Sequence, residues 1–206
     1  MQIIEPSFKI IAPNPFNEKK IMKFIEEQGR VCYRSHYKAG EDTAKLFTKK
    51  IIQNGHHSVL EHVNFTIQFV CDRGVSHELV RHRFTSISQQ STRYVNYAGE
   101  EIKFVRPYGY EDWDQNQKRL WLFAMSKCED TYKEMVKSGL TPQQARAVLP
   151  NSLATEIVMT CNLRELRHIL KLRTSKKAHP DMRYLMIFLM AELSEEMPNL
   201  FDDLED

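Results

Sequence analysis

The chain has 206 residues, of which 42% are hydrophobic and 27% charged, with a formal net charge of +2. These are the proportions of an ordinary globular protein, and the length reads as one domain spanning 1–206 that buries its core without metal or disulfide support. So small a charge does not imply a general attraction to nucleic acid or membrane, no apolar run is long enough to span a bilayer, and the opening MQIIEPSFKIIAP has no secretory pattern. Cys32, Cys71, Cys128 and Cys161 are scattered without a CxxC pair, so reduced thiols and a cytoplasmic location are expected.

In chain order, short extended segments are expected around Gln2 to Ile4 and Phe8 to Ala12. Residues 16 to 29 and 43 to 54 read as helices, the second with Asp42 as N-cap. Phe65 to Val70 alternates apolar and polar side chains and reads as a strand. The stretch from Gly74 to about Ser86 is a helix candidate, with Val75, Leu79 and His82 near one face. Ile102 to Val105 is another short strand. A long amphipathic helix follows over 112 to 138, where Trp121, Met125, Cys128, Tyr132, Met135 and Val136 form an apolar stripe. That stripe reads as core or subunit interface, not as a ligand site.

Thr141-Pro142-Gln143-Gln144 is a helix start: threonine N-cap, proline at the first helical position, glutamine closing a capping box. This helix carries Arg146 and stops before Pro150. Ala154 to Cys161 is β-rich, Asn162 caps a helix to about Arg173, and a last helix occupies roughly 181 to 197. Strands among long helices without regular βαβ alternation argue for an α+β fold. No GxGxxG or Walker loop occurs among only seven glycines, so a bound nucleotide is expected to be held by side chains.

The segment richest in chemistry is Arg81-His82-Arg83, followed by seven residues, Ser91 and, two positions later, Arg93. Arginine grips carboxylates and phosphates because its planar fork donates several hydrogen bonds at once. If the triplet is helical, its side chains point about 100° apart and cannot all face one small ligand, which hints at a composite site. The plain alternative is a solvated basic surface. Among the other candidates, Arg164 and His168 lie four apart on one side of their helix, opposite Leu163, Leu166, Ile169 and Leu170. Arg173 falls on the apolar face, where a buried stem with a surface guanidinium is the ordinary reading. His57-x3-Glu61-His62 and His77-Glu78-x3-His82 miss the HExxH zinc spacing by one residue, so no metal is expected. Ser91 has no GxSxG context and no base beside it.

RHR-x7-S with its following arginine resembles the signature of the flavin-dependent thymidylate synthases at every fixed position. GHHSVLEH at 55–62, QARAVLP at 144–150 and NLRELRHILKLR at 162–173 are also similar to that family's segments, so the resemblance covers roughly residues 30 to 180. It implies a single catalytic domain with a mixed or antiparallel sheet flanked by long helices. It also implies reductive methylation of dUMP to dTMP, with methylenetetrahydrofolate as carbon donor and FAD relaying hydride from NADPH. A homotetramer with active sites shared between subunits is implied as well.

Carried over, the resemblance gives Ser58, Arg81, His82, Arg83, Gln89, Asn162, Leu163, Arg164 and His168 to the flavin, with His56 nearby. It gives Glu78, Leu79, Val80, Arg81, Gln89, Gln90, Ser91, Thr92, Arg93, Arg146 and Arg173 to the deoxyuridylate. Within that set Arg93 and Arg146 suit the phosphate, and Arg173 matches the arginine that promotes ionisation at pyrimidine N3, a catalytic role. The sequence departs from common family versions at Glu78, at Gln89, where glutamate is frequent, and at Ala178-His179-Pro180-Asp181. The rival from another class is a non-enzymatic nucleic-acid-binding module in which Phe84, Tyr94 and Tyr97 stack on bases.

Overall fold

Two long strands set the frame, and each owes its form to period-two burial. In β3 (Asn64–Asp72) Phe65, Ile67, Phe69 and Cys71 are all fully buried, and in β6 (Ala154–Asn162) Ile157, Met159 and Cys161 repeat the pattern. They form the centre of a four-stranded sheet of order β2–β3–β6–β4, in which β2 is Ser7–Ala12 and β4 is Thr85–Gln89. A separate pair joins β1 (Gln2–Ile4) to β5 (Lys103–Val105) in parallel, with Ile3 opposite Phe104. The computed structural model describes residues 1–13, 16–40 and 42–204.

Both central strands run into helices without a loop. Asp72 caps α3 (Arg73–Leu79) by accepting from the Val75 amide at 2.9 Å, and Asn162 caps α6 (Leu163–Arg173) by accepting from the Glu165 amide at 2.9 Å. The expected helix over 74–86 therefore ends at Leu79: Val80 and Arg81 close it as a turn, and Thr85 begins β4. His82 is buried, as the helical spacing required, but the chain reaches that position through a turn.

The chain divides into two compact units. The first comprises Met1–Ser7, Phe69–Arg81 and Ile87–Val158. Its core gathers around α4 (Gln115–Lys137), which starts in a capping box between Asp114 and Gln117. Met125 and Tyr132 of the expected stripe are buried with Tyr97, Ile102, Phe104 and Leu153, and Trp121, Met135 and Val136 pack beside them. The Thr141–Gln144 capping box is present, yet α5 (Pro142–Ala145) lasts one turn before tightening into a 3-10 segment at Arg146–Val148.

The second unit comprises Phe8–Gln68, His82–Ser86 and Met159–Asp206. It contains α1 (Glu18–Val31), α2 (Thr43–Gln53), α6, α7 (Pro180–Glu196) and α8 (Pro198–Phe201). α1 and α2 approach closely at Gly29, where a Cβ would lie 2.6 Å from a Phe47 ring carbon. Asp42 occupies the N-cap of α2 but its side chain makes no capping hydrogen bond; the nearby Gly40 amide donates to Thr43 Oγ1 at 2.9 Å. Phe65 meets Phe201 edge-on at 5.9 Å, within a core that includes the four α6 residues Leu163, Leu166, Ile169 and Leu170. Among the described residues no helix is long and apolar enough to cross a membrane.

Candidate ligand-binding sites

In the first unit a cavity of about 450 Å³ is lined by Arg73, His77, Thr92, Gln143, Arg146 and neighbouring loop residues. Arg73 and Arg146 line it, Arg93 is bonded to the lining Gln143, and each of the three guanidiniums holds an uncharged partner. Arg73 donates to the Gln90 carbonyl and to Thr155 Oγ1, both at 3.3 Å; Arg146 donates to Thr92 Oγ1 at 3.2 Å; Arg93 Nε donates to Gln143 Oε1 at 2.9 Å. Among the described residues no carboxylate pairs with any of the three. Oriented guanidiniums without a countercharge make a site for an external anion, and a phosphate dianion matches their fork geometry.

The residues expected to read the nucleotide lie in this unit, except Arg173. Thr92 is buried and Ser91 half-buried; the Ser91 hydroxyl accepts from the Arg93 amide at 3.3 Å while its carbonyl accepts from Tyr94 and Val95. Ser91 thus shapes the turn that aims Arg93. Gln90 Oε1 accepts from the Glu156 amide at 3.4 Å. Gln89 Nε2 donates to Ser76 Oγ at 2.8 Å and to Thr155 Oγ1 at 3.4 Å, while Ser76 Oγ gives its own proton to the Arg73 carbonyl. Ser76 can therefore only accept from position 89, which suits an amide; a carboxylate would face it with no proton between them. Glu78 is half-buried, Val80 and Arg81 are exposed, and the Leu79 side chain is wholly enclosed, leaving only its backbone for a ligand.

In the second unit a larger cavity, about 640 Å³, combines apolar walls from Ile52, Leu60 and Phe84 with Asn162, Arg164, His168 and Lys171. Arg164 and His168 do share one space, as their spacing on α6 required. Here the guanidiniums are compensated. Arg164 Nη1 lies 2.6 Å from Glu61 Oε1, and Arg167 forks onto Asp203 at 2.8 and 2.5 Å while also donating to the Leu200 carbonyl. Burial would raise the Asp203 pKa, but hydrogen bonds and charge from Arg167 prevail and hold it below the ordinary carboxylate value. His56 and Ser58 are exposed on either side of His57, which lines the cavity and whose Nε2 is 3.1 Å from the Ile52 carbonyl. Leu163 is fully buried, so only its backbone can meet a ligand.

The central triplet splits by environment. Arg81 and Arg83 are exposed, whereas His82 is only 7% exposed. The divergence expected from a helix is thus produced by a turn. Arg173 Nε donates to His82 Nε2 at 3.0 Å, Glu165 Oε1 is 3.6 Å from Nδ1, and the His168 ring stands edge-on with centroids 6.4 Å apart. Burial first, then the charges of Arg173 and His168, lowers the His82 pKa to about 4. The Glu165 carboxylate favours protonation, but at 3.6 Å it is too far for a good hydrogen bond and the ring stays neutral.

Glu61, Arg167, Asp203 and Lys171 of the larger cavity, and Arg73, His77 and Gln143 of the smaller, were not expected from the sequence. Arg73 carried the one usable signal, since it directly follows an Asp N-cap at a strand end. The stacking surface of the nucleic-acid alternative is not available: Tyr97 is buried against Tyr132 at 5.8 Å, although Phe84 and Tyr94 are about 80% and 78% exposed.

A family model described as thymidylate synthase complementing protein matches residues 17–199. A flavin-dependent thymidylate synthase of Geobacter sulfurreducens is 36% identical over 181 residues, covering 84% of this chain and 78% of the relative. One from Pyrococcus abyssi is 37% identical over 164 residues, covering 78% and 67%. Among solved structures, a UMP/dUMP methylase PolB from Streptomyces cacaoi bound with 5-Br dUMP superposes with a TM-score of 0.80 at 21% identity, over 98% of this chain and 96% of that one. Thymidylate Synthase X from Helicobacter pylori with FAD and dUMP gives 0.77 at 23% identity, over 97% and 98%. At those identities the two structures speak for the fold.

Proposed function

The chain belongs to the flavin-dependent thymidylate synthases, and on that footing we propose that it methylates dUMP reductively to dTMP, using methylenetetrahydrofolate and NADPH, as a homotetramer with shared sites. The observation that carries the substrate half is the set of three arginines, Arg73, Arg93 and Arg146, oriented by uncharged partners. They have charge to spare for a nucleotide phosphate, and Thr92 and Ser91 hold two of them in line. Gln89 turns its amide N–H groups inward, which leaves its carbonyl oxygen as an acceptor for a base N–H.

The cavity of the second unit fits a flavin dinucleotide. Arg164, His168 and Lys171 match a diphosphate, and Leu60, Ile52 and the exposed Phe84 match flat rings. Asn162 lines the same cavity, Ser58 and Arg83 join that set on the family resemblance, and the resemblance also gives Arg81 and Gln89 to the flavin. FAD, when bound, supplies the redox chemistry of the hydride. The protein's own part is electrostatic. Arg173 presents a guanidinium to the pyrimidine so that negative charge is stabilised as the N3 proton leaves, which makes C5 nucleophilic toward the one-carbon unit. Cytoplasmic residence belongs to the same proposal, supported by the free, buried thiols Cys71 and Cys161, whose pKa values burial raises to about 12.

Titration with FAD, followed by its visible absorbance, and an assay of dTMP formation test the reading. Stoichiometric uptake and turnover are expected. A colourless protein that ignores added FAD would overturn it.

A further inference from the structure

His82 sits between two exposed arginines yet is itself buried, so its side chain has little surface left for a ligand. Its polar contacts lie inside the second unit. Nε2 accepts from Arg173 Nε at 3.0 Å, Nδ1 faces Glu165 at 3.6 Å, and His168 stands beside the ring. A ring nitrogen that accepts from a guanidinium carries no proton, so the proton of the neutral imidazole is on Nδ1, the side of the carboxylate. The backbone of Glu165 is held in the first turn of α6, its amide donating to the N-cap Asn162 at 2.9 Å.

We infer that His82 is a positioning residue for Arg173: its unprotonated Nε2 anchors Nε and orients the guanidinium plane, and the nearby Glu165 carboxylate favours by its charge the tautomer that permits this. Arg173 closes the last turn of α6, on a stem with several rotatable bonds. Losing the bond at Nε lets the guanidinium plane tilt about the stem, and a misplacement of about 1 Å can cost about 100-fold in rate. A pKa near 4 keeps the ring in its accepting form throughout the neutral range. The inference rests on the reading that Arg173 acts on the pyrimidine.

The test compares His82→Gln, His82→Asn and His82→Leu in FAD-loaded enzyme, measuring kcat and KM for dUMP with FAD affinity titrated separately. Glutamine can bring an amide oxygen near the position of Nε2, whereas asparagine is too short and leucine offers no acceptor. His82→Leu and His82→Asn should lose about 100-fold in kcat with the dUMP KM changed by less than about 3-fold, and His82→Gln should recover to within about 10-fold of wild type. Glu165→Gln should lower kcat by less, about 3- to 10-fold, since it weakens only the tautomer preference. Equal kcat in the Gln and Asn variants would overturn the inference, and this pair decides the matter even where the Leu variant does not fold. So would a defect in His82→Asn that excess FAD repairs, because His82 would then be a flavin contact. A wild-type protein that binds FAD yet makes no dTMP would fault the functional reading instead, leaving the His82–Arg173 geometry in place.

Discussion

The arginines at the two cavities stand in opposite electrical states. Both units start from a β-strand ending in an Asx N-cap, Asp72 in one and Asn162 in the other. In the first unit Arg73, Arg93 and Arg146 rest on carbonyl, amide and hydroxyl oxygens. In the second, Arg164 and Arg167 rest on the carboxylates of Glu61 and Asp203, and Arg30 on that of Glu26. Neutral partners orient a charge without cancelling it, whereas carboxylates cancel it and leave mainly structure. The first unit should therefore bind an anion at little cost to the fold. The second must exchange partners to do so, or keep its arginines for stability.

Acid should bring the second unit into the electrical state of the first. His82 is charged in the unfolded chain below about pH 6.5 but in the folded protein only below about 4. Between those values the unfolded chain takes up a proton that the native state refuses, so stability is complete above pH 6.5 and falls as pH drops toward 4. Arg173 and His168 oppose the added charge, and Glu165 at 3.6 Å only partly offsets it. The loss is on the order of 3 kcal/mol. Urea unfolding of wild type and His82→Gln at pH 7 and pH 4 isolates it, because other carboxylates and histidines titrate in both proteins. Identical pH dependence in the two would show that the ring is not held neutral.

A paired substitution bears directly on the contrast. Arg167→Ala removes a buried guanidinium and leaves the Leu200 carbonyl and Asp203 without their donor, which should cost about 2–3 kcal/mol of stability, the lower range for a buried pair because Asp203 is half exposed. Arg146→Ala should change stability by less than about 0.5 kcal/mol. It should weaken dUMP binding by about 10- to 100-fold, as expected for one charge-assisted hydrogen bond. Thermal unfolding and calorimetric titration of both variants give the answer. If Arg146→Ala proved the destabilising change, the division between the units would be wrong.

Local patterns in the chain were legible because they depend on near neighbours. The α4 stripe, the Asn162 cap and the Thr141–Gln144 box all lie where periodicity and capping chemistry put them. Arg164 and His168 were readable as a pair for the same reason. The helix expected to reach Ser86 failed because Val75, Leu79 and His82 keep i, i+4, i+7 spacing although only the first two are helical; His82 is buried by Arg173, 91 positions away. Charge compensation was equally invisible: Glu61 finds Arg164 across 103 positions and Asp203 finds Arg167 across 36. Such partners are chosen by topology, which residue spacing does not encode. The glutamine at 89 looked like an unexplained departure until Ser76 and Thr155 supplied the acceptors that call for an amide.

Ser91 gives the smallest effect and a sharp check on how the first unit works. A serine hydroxyl adds to an electrophile only when a positioned base takes its proton. The hydroxyl accepts from the Arg93 amide at 3.3 Å, and among the described residues no histidine or carboxylate bonds to it. Its work is conformational: with its carbonyl bonded to the Tyr94 and Val95 amides, it closes the turn that aims Arg93 toward Gln143. Ser91→Ala keeps the carbonyl bonds and loses the hydroxyl, so Arg93 should wander slightly and the dUMP KM should rise by about 2- to 10-fold, matching about 0.5–1.5 kcal/mol for one hydrogen bond. Turnover at saturating dUMP should persist, since no bond to Ser91 forms along the way. Complete inactivity of the alanine variant, together with a nucleotide trapped covalently on Ser91 and seen by mass spectrometry, would mean that the serine is a nucleophile after all.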